Sequence, residues 1–532
     1  MSGRAATRNR IPGKYVLSVG QTDMPAPAGW VWTRMTDVAR LETGHTPSRA
    51  HAEYWDGDIP WIGIRDAREN HGRTILETRQ TVTQLGLDNS ASRLLPDKTV
   101  CLSRTASIGY SLIMGRPMAT SQDFVNWICS EALDPQYLMH LFVAERDSLL
   151  EFGKGTTHKT IYFPEVKAFQ VCLPPLAEQK RIVSKIEALQ ERSSRAREAL
   201  AVVGPLLQQF RQSVLAAAFR GDITADWRSA NPHVEPATEL LQRIRAERRQ
   251  RWEQAELAKY EAKGKKPPKG WKDKYKETEP VDDSELPELP DGWCWTSIDT
   301  LTFDGPQNGL YVPKAKYGSG TPILRIDDYQ IDWCRPSSSL QQVNIDDATA
   351  TTYGLCAGDL VVNRVNSPSH LGKSIVIEES SIPAVFESNM MRLELADVRV
   401  ANFCHFFLTS TFGKSLLTRN AKWAVNQASI NQGDVVSTPI PLAPIDEQGE
   451  VLRMITEAQD AAKRAASDVA ESELALTQLD QSILAKAFRG ELVPQDPRDE
   501  PASVLLERIR ASREANKDNG KPSRRRTPAR PK

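Results

Sequence analysis

Two Gly-Lys-Ser tripeptides, Gly372-Lys373-Ser374 and Gly413-Lys414-Ser415, come nearest in this chain to phosphate chemistry. A phosphate-binding loop also needs a glycine five residues ahead, so that successive backbone amides can wrap the phosphate. Those places hold Ser367 and Leu408, and neither tripeptide qualifies. No Gly-x-Gly-x-x-Gly follows a strand pattern, and there is no nucleophile elbow and no His-Glu-x-x-His. The Asn-Pro-Pro-aromatic loop that holds an extruded adenine for methylation is missing as well. Pro96-Asp97 reads as the start of a strand, because its surroundings return later in the chain, and not as a nuclease carboxylate. The seven cysteines (Cys101, Cys129, Cys172, Cys294, Cys334, Cys356 and Cys404) form no Cys-x-x-Cys pair. An odd, scattered set points to buried thiols over disulfides or zinc. Cys404 and its neighbour His405 read as core residues. The residues describe a reader or a scaffold, not a catalyst.

What remains is the chemistry of cations, amides and aromatic faces. Lysine plus arginine balances aspartate plus glutamate at 68 each over 532 residues, but the cations are unevenly placed. Arg243 to Lys276 carries Arg248-Arg249, Arg251, Lys265-Lys266, Lys269, Lys272, Lys274 and Lys276, interleaved with Trp252, Trp271 and Tyr275. After Lys521 the tail holds Arg524-Arg525-Arg526, Arg530 and Lys532 without an acid. A neutral balance does not exclude a nucleic-acid partner, because attraction follows where charge collects. The length predicts about two to four domains. There is no apolar run long enough to span a membrane and no hydrophobic stretch behind Met1 to Arg10, so a cytoplasmic location is expected.

These residues must be positioned by a stretch that the chain writes twice. One copy runs from Pro175-Leu176-Ala177-Glu178-Gln179 to Ala218-Phe219-Arg220-Gly221, the other from Pro444-Ile445-Asp446-Glu447-Gln448 to Ala487-Phe488-Arg489-Gly490. They align without a gap at a constant offset of roughly 269 residues, the mark of a repeat of whole modules. Apolar residues recur three and four apart, from Ile182 and Ile186 to Val214 and Ala217 and from Val451 and Ile455 to Leu479 and Ile483. Such a seam over about five heptads predicts two helices of roughly 40 residues and 60 Å, packed along each other. Glu178, Asp446 and Glu447 suit the positive helix start, Arg220 and Arg489 the negative end, and Gly221 and Gly490 a left-handed cap. Gly204-Pro205 interrupts the first copy and predicts a kink.

Each long helix follows a unit with its own repeated landmarks. Pro27-Ala28-Gly29-Trp30-Val31-Trp32-Thr33 returns as Pro290-Asp291-Gly292-Trp293-Cys294-Trp295-Thr296. The strand patterns ending at Arg65-Asp66 and Ser103-Arg104 are answered by those ending at Asp327-Asp328 and Asn363-Arg364. A helical stretch and a polar loop follow in each, the loop being Gly153 to Lys159 or Asn420 to Ser429. The expected order is a disordered N-terminus (1–24), a globular unit (25–174), a long helix (175–221), and a short helix with basic linker (222–285). A second globular unit (286–443), long helix (444–490), short helix (491–515) and disordered basic tail (516–532) complete it. The units share landmarks but not loops, which points to two sites of related kind and different specificity.

Taken jointly, these modules, the Pro-Leu-x-Glu-Gln helix start and the Ala-Phe-x-Gly helix end resemble the specificity subunit of type I restriction-modification enzymes, from about Pro27 to Ala511. The resemblance implies an α/β (α+β) fold class, with two pseudo-repeated target recognition domains separated by two long antiparallel coiled-coil helices. It implies no catalytic activity, and a recognition subunit that binds an asymmetric bipartite target in double-stranded DNA. The implied partners are two methyltransferase subunits and two ATP-driven restriction subunits. S-adenosylmethionine, ATP and magnesium are then expected on those partners and no cofactor on this chain. Base edges are read by Arg and Lys at guanine and by Asn and Gln at adenine. The candidates at strand ends and in polar loops are Arg65, Arg104, Ser107, Gln122, Thr156, Thr157, His158 and Lys159 in the first unit. In the second they are Arg325, Arg364, Asn366, Asn389, Lys422, Asn426, Gln427 and Ser429. The alternative reading is a coiled-coil protein-interaction scaffold without sequence-specific DNA binding.

Overall fold

The second copy of the repeated stretch folds as one helix, Ile445–Ala487, whereas the first folds as two, Leu176–Ala201 and Val203–Phe219. In this computed structural model, residues 11–519 are described except 106, 156–158, 368–369 and 425–426. The disturbance that Gly204-Pro205 predicts in the first helix, expected over 175–221, thus falls at Val202. Pro205 has no N–H to give the carbonyl of Ala201, and its ring crowds that carbonyl. Val202 nonetheless keeps φ −82° and ψ −16°, so the ladder breaks while the backbone stays in the helical region. Both ends are capped as expected. Gly221 (φ +74°) and Gly490 (φ +72°) turn left-handed, and the amides of Asp222 and Glu491 reach back to the carbonyls of Ala217 and Lys486 at 2.9 Å each.

The chain divides at the middle of these helices into one unit of residues 1–201 with 470–532 and a second of residues 202–469. In the first unit, Ile182, Val183 and Ile186 share a core with Ile483, Ala487 and Phe488. The helices run antiparallel there. Arg181 near the start of one holds Asp499 just past the end of the other (2.6 Å), and Arg197 pairs with Asp480 (2.7 Å). In the second unit Leu215, Ala218 and Phe219 share a core with Val451 and Ile455. The seam is not buried along its whole length, contrary to the expectation of one continuous apolar contact. Of the seam residues, Phe210 is 45% exposed in the second unit and Leu479 50% in the first.

Each unit builds its globular domain on the same frame. The first holds a sheet in the order 39–43, 124–129, 100–103, 111–114, 74–75, and beside it the strand Trp55–Ile62 flanked by 119–120 and 80–82. The second repeats this as 302–308, 390–395, 360–363, 374–376, with Tyr317–Leu324 flanked by 385–386 and 341–343. Helices Pro135–Ala144 and Val398–Thr409 cover the sheets from one side, and Phe142, Phe403 and Phe407 are fully buried there. Burying one such ring contributes roughly 1.5–3 kcal/mol.

The repeated tryptophans and glutamates lock domain to helix. Nε1 of Trp30 donates to the buried carboxylate of Glu178 (3.0 Å), and Nε1 of Trp293 to that of Glu447 (2.9 Å). The neighbouring amides of Gln179 and Gln448 tie back to the backbone, at Pro174 and Ala443 among others. Two motifs far apart in sequence thus form one latch in each unit.

Three expectations about flanking segments need correction. Residues 11–24, expected to be disordered, hold two strands. Leu17–Val19 is fully buried beside Phe169–Leu173, because its apolar side chains complete that sheet. The short helix after the first long one is Ala237–Ala262, and that near the C-terminus, Ala502–Asn519, runs past residue 515. Cys356 is exposed, unlike buried Cys101, Cys172 and Cys404; all seven cysteines are free, and burial pushes the Cys172 thiol up to about 12. Among the described residues no helix is long and apolar enough to cross a membrane.

Candidate nucleic-acid interface

In the first domain the core strand Val100–Ser103 ends at Arg104, whose backbone N–H donates to the carbonyl of Asp123 at 2.8 Å. Its guanidinium donates to the carbonyl of Gln122 (3.3 Å) and lies 5.2 Å from the Phe163 ring centre. Its carbonyl accepts from Ile161, two residues past the polar loop, at 2.8 Å. Burial lowers the affinity of Arg104 for its proton, and nearby Asp123 opposes that shift. The arginine is thus a clamp joining three loops more than a free reader. Lys154 and Thr160 close the polar loop as a hairpin, and Thr105 pairs with Thr160 at 2.7 Å.

The second domain repeats this clamp. Arg364 donates its N–H to the carbonyl of Asn389 (2.7 Å) and its guanidinium to that of Ser388 (3.2 Å), and its carbonyl accepts from Ile430 (2.9 Å). The polar loop is again a hairpin. Lys422–Ala424 pairs with Gln427–Ser429, which pairs in turn with Val365–Asn366. In both domains the Nε of this arginine is buried without a partner among the described residues.

Around the clamps the frame is constant while the side chains change. The amides of His45 and Leu310 donate to the carbonyls of Thr120 and Phe386, and those of Ser121 and Glu387 to the carbonyls of Ile62 and Leu324. These bonds place Thr46 where the second domain has Tyr311, Gln122 where it has Ser388, and Asp123 where it has Asn389. In the first domain a cleft of about 510 Å³ opens here, lined by Thr46, Arg49, Arg65, Arg79, Gln122 and Asp123 among others. The Thr46 hydroxyl donates to the side chain of Gln122, and Arg49 lies 4.3 Å from the centre of Trp55. In the second domain Tyr311 is 77% exposed and Trp423, on the hairpin, 63% exposed.

The structure brings Arg65, Arg104 and Gln122 to one edge, with Ser107 on the loop after Arg104 and Lys159 exposed on the hairpin. Arg325, Arg364, Asn389, Lys422 and Ser429 gather likewise, with Asn366 and Gln427 on the adjoining strands. Thr156, Thr157, His158 and Asn426 lie outside the described residues. Arg65 and Arg325, one candidate from each unit, are not equivalent, as the pairing of their landmarks implies. Arg65 sits in the first turn of helix Ile64–Glu69, whereas Arg325 precedes its short helix and holds Gln341 (3.1 Å) and Glu387 (3.6 Å). Gly63, not Arg65, takes the place of Arg325, since both amides donate to the third residue on, Asp66 or Asp328. Sequence reasoning missed Thr46, Tyr311 and Trp423. An aromatic residue inside a polar hairpin loop was the available signal for Trp423; Tyr311 carried none.

Lys373, of the first Gly-Lys-Ser tripeptide, donates to the carbonyls of Ile326 (2.9 Å) and Tyr329 (2.6 Å), a structural role. Among the described residues no cluster of His, Cys, Asp and Glu has the arrangement to hold a metal ion.

Residues 27–200 match the family described as type I restriction modification DNA specificity domain. Over 92% of its length the chain is 24% identical to the type I restriction enzyme EcoDI specificity subunit of Escherichia coli, covering 96% of it. It is also 24% identical to the StySPI specificity subunit of Salmonella potsdam, with the same coverage of both chains. Among solved structures it resembles a chain of a type I R-M system (TM-score 0.60, 20% identity), covering 88% of this chain and 100% of that one. The HsdS subunit from Thermoanaerobacter tengcongensis matches with a TM-score of 0.50 and 19% identity, covering 88% of this chain and 99% of that one.

Proposed function

We propose that this chain, which belongs to the specificity subunits of type I restriction-modification enzymes, reads an asymmetric bipartite target in double-stranded DNA, one half with each recognition domain. The observation that carries this is the duplicated edge with exchanged side chains. Thr46, Gln122 and Asp123 in one domain face the same backbone frame as Tyr311, Ser388 and Asn389 in the other. A glutamine or asparagine amide matches the donor and acceptor of adenine, and the donors of an arginine such as Arg65 match the two acceptors of guanine, each good pair discriminating by roughly 1–3 kcal/mol. Different side chains on one frame select different bases, so the two halves differ.

The chain has no reaction of its own in this reading. It acts as the frame on which two methyltransferase and two restriction subunits assemble, and those partners bind S-adenosylmethionine, ATP and magnesium. The exposed apolar residues of the long helices, Val202, Leu206 and Phe210 in one unit and Leu474 and Leu479 in the other, offer surface for such assembly. The test is methylation mapping in cells expressing the chain with its methyltransferase subunit. One split, asymmetric motif is expected, with Gln122→Ala relaxing a position in one half only and Tyr311→Ala altering the other half only. An active partner that methylates no motif would instead identify the chain as a protein scaffold.

A further inference from the structure

The basic segment from Arg243 to Lys276, expected as the end of a short helix followed by a linker, is folded. Helix Ala237–Ala262 starts against the second domain, with the amide of Ala237 donating to the carbonyl of Gly292 (2.8 Å) and Leu240, Leu241 and Ile244 buried. Arg248 then pairs with Asp299 (2.8 Å), and Arg251 pairs with Glu394 (3.0 Å) while lying 4.1 Å from the Phe303 ring centre. As the helix advances through 237, 248 and 251, its contacts advance through 292, 299 and 303, which brings Arg251 against the start of strand Thr302–Asn308. From Arg251 to Ala262 the helix carries the chain about 16 Å further at 1.5 Å per residue.

There the chain turns. Gly264 (φ +63°) closes the helix, the amide of Lys265 reaches the carbonyl of Tyr260 (2.9 Å), and Gly270 (φ +77°) sends the chain back. On the return Trp271 stacks on Trp252 (5.9 Å, 22°), Tyr275 packs on the same indole (5.4 Å), and Lys272 pairs with Glu253 (2.7 Å). The tip between these turns reads Lys-Gly-Lys-Lys-Pro-Pro-Lys-Gly. Lys263, Lys265, Lys266 and Lys269 are exposed, and none forms an ion pair among the described residues.

We propose that this lysine tip grips the phosphate backbone of duplex DNA beside the half-target read by the second domain, without reading bases. The proposal rests on the DNA-reading function above. A protein partner fits the tip poorly: its only apolar side chains are those of Pro267 and Pro268, it holds no aromatic one, and lysine is depleted from protein–protein interfaces. Lysine is a flexible point charge that suits phosphate and carries no base information. No such tip follows the second long helix within the described residues, so the grip belongs to one half of the target.

The test compares the full chain with the variant K263Q/K265Q/K266Q/K269Q on a duplex carrying the mapped target and on a scrambled duplex, across a salt series. Each lost phosphate contact lowers the slope of log affinity against log salt by about 0.9. A slope shallower by about 2–4 is expected, with equal weakening on both duplexes, an unchanged methylated motif, and the slope kept by the corresponding arginine variant. An unchanged slope with target preference intact overturns the grip alone. The same holds if the variant keeps its slope but fails to co-purify with the methyltransferase subunit, which would make the tip a protein dock. A wild-type chain that does not distinguish the two duplexes overturns the DNA-reading function, and the grip with it.

Discussion

Glu178 and Glu447 occupy the same turn of the two long helices but carry different loads. Glu178 accepts from Trp30, whereas Glu447 accepts from Trp293, from the Thr224 hydroxyl (2.7 Å) and from the Arg228 guanidinium (2.8 and 3.1 Å). Removing Glu447 strands a half-buried arginine and an indole N–H, and breaking a buried ion pair costs roughly 3–5 kcal/mol. Removing Glu178 leaves one indole donor unpaired, at roughly 1–3 kcal/mol. Glu447→Ala should therefore lower the unfolding midpoint further than Glu178→Ala in thermal or urea melts. Two buried histidines make a second pair. Burial depresses His140 and His405 to about 4, against smaller opposing effects of Asp134 and, at His405, of the Ile331 carbonyl and Asp332. Below about pH 6.5 the unfolded chain takes up protons that the folded chain refuses until about pH 4, so stability is lost as pH falls through that window. Each site contributes about 3 kcal/mol to that loss. Among the described residues neither ring nitrogen of His140 has a partner, while His405 bonds the Ser374 hydroxyl (2.9 Å) and the Ile331 carbonyl (2.8 Å). His140→Leu should flatten the acid dependence without loss at neutral pH, and His405→Leu should destabilise at neutral pH by roughly 1–3 kcal/mol. A His140→Leu chain that melts lower at pH 7 would show that the ring has a partner after all.

The long helices show how far local sequence carries an element. Their starts and glycine caps were legible because capping depends on a few neighbouring residues, and the repeat states each signal twice. The break at Val202 was half legible: Gly204-Pro205 marked the disturbance, but the lost bond falls earlier, on the carbonyl that Pro205 fails to meet. Burial along the seam was not legible, because a heptad pattern identifies a face but not what covers it, and Phe210 and Leu479 are half exposed. The caps differ in how closely they are packed. A Cβ on Gly221 would stand 2.4 Å from Cγ of Pro290 and 2.6 Å from Nη2 of Arg228, whereas on Gly490 it would meet Pro27 no closer than 3.1 Å. Both glycines are left-handed, a conformation costing other residues roughly 1–2 kcal/mol. Gly490→Ala should lose about that much in urea titrations and Gly221→Ala distinctly more; equal losses would mean that the Pro290 loop yields without cost.

For the whole molecule, the duplication was the most legible feature and the candidate edge the least. Arg104 and Arg364 could be picked because they end a repeated strand, although their role as clamps shows only in bonds to segments far along the chain. Thr46 and Tyr311 were missed because their equivalence comes from pairing with a distant strand, not from any shared motif. The chain crosses between its two units only within the long helices, between 201 and 202 and between 469 and 470. If each unit reads half of a split target, the residues around those crossings set the gap between the halves, and the half-sequences belong to side chains elsewhere. The two properties should separate. Inserting seven residues at both crossings keeps the seam in phase and adds about 10 Å of helix, equivalent to about three base pairs at 3.4 Å each. Methylation mapping should then return both original half-sequences with a longer gap, by up to about three base pairs. Inserting seven residues at only one crossing shifts one seam against the other, and loss of stability before any change of gap is expected. A double insertion that methylates the original motif with its original gap would mean that the spacing is set by the partner subunits and not by this chain.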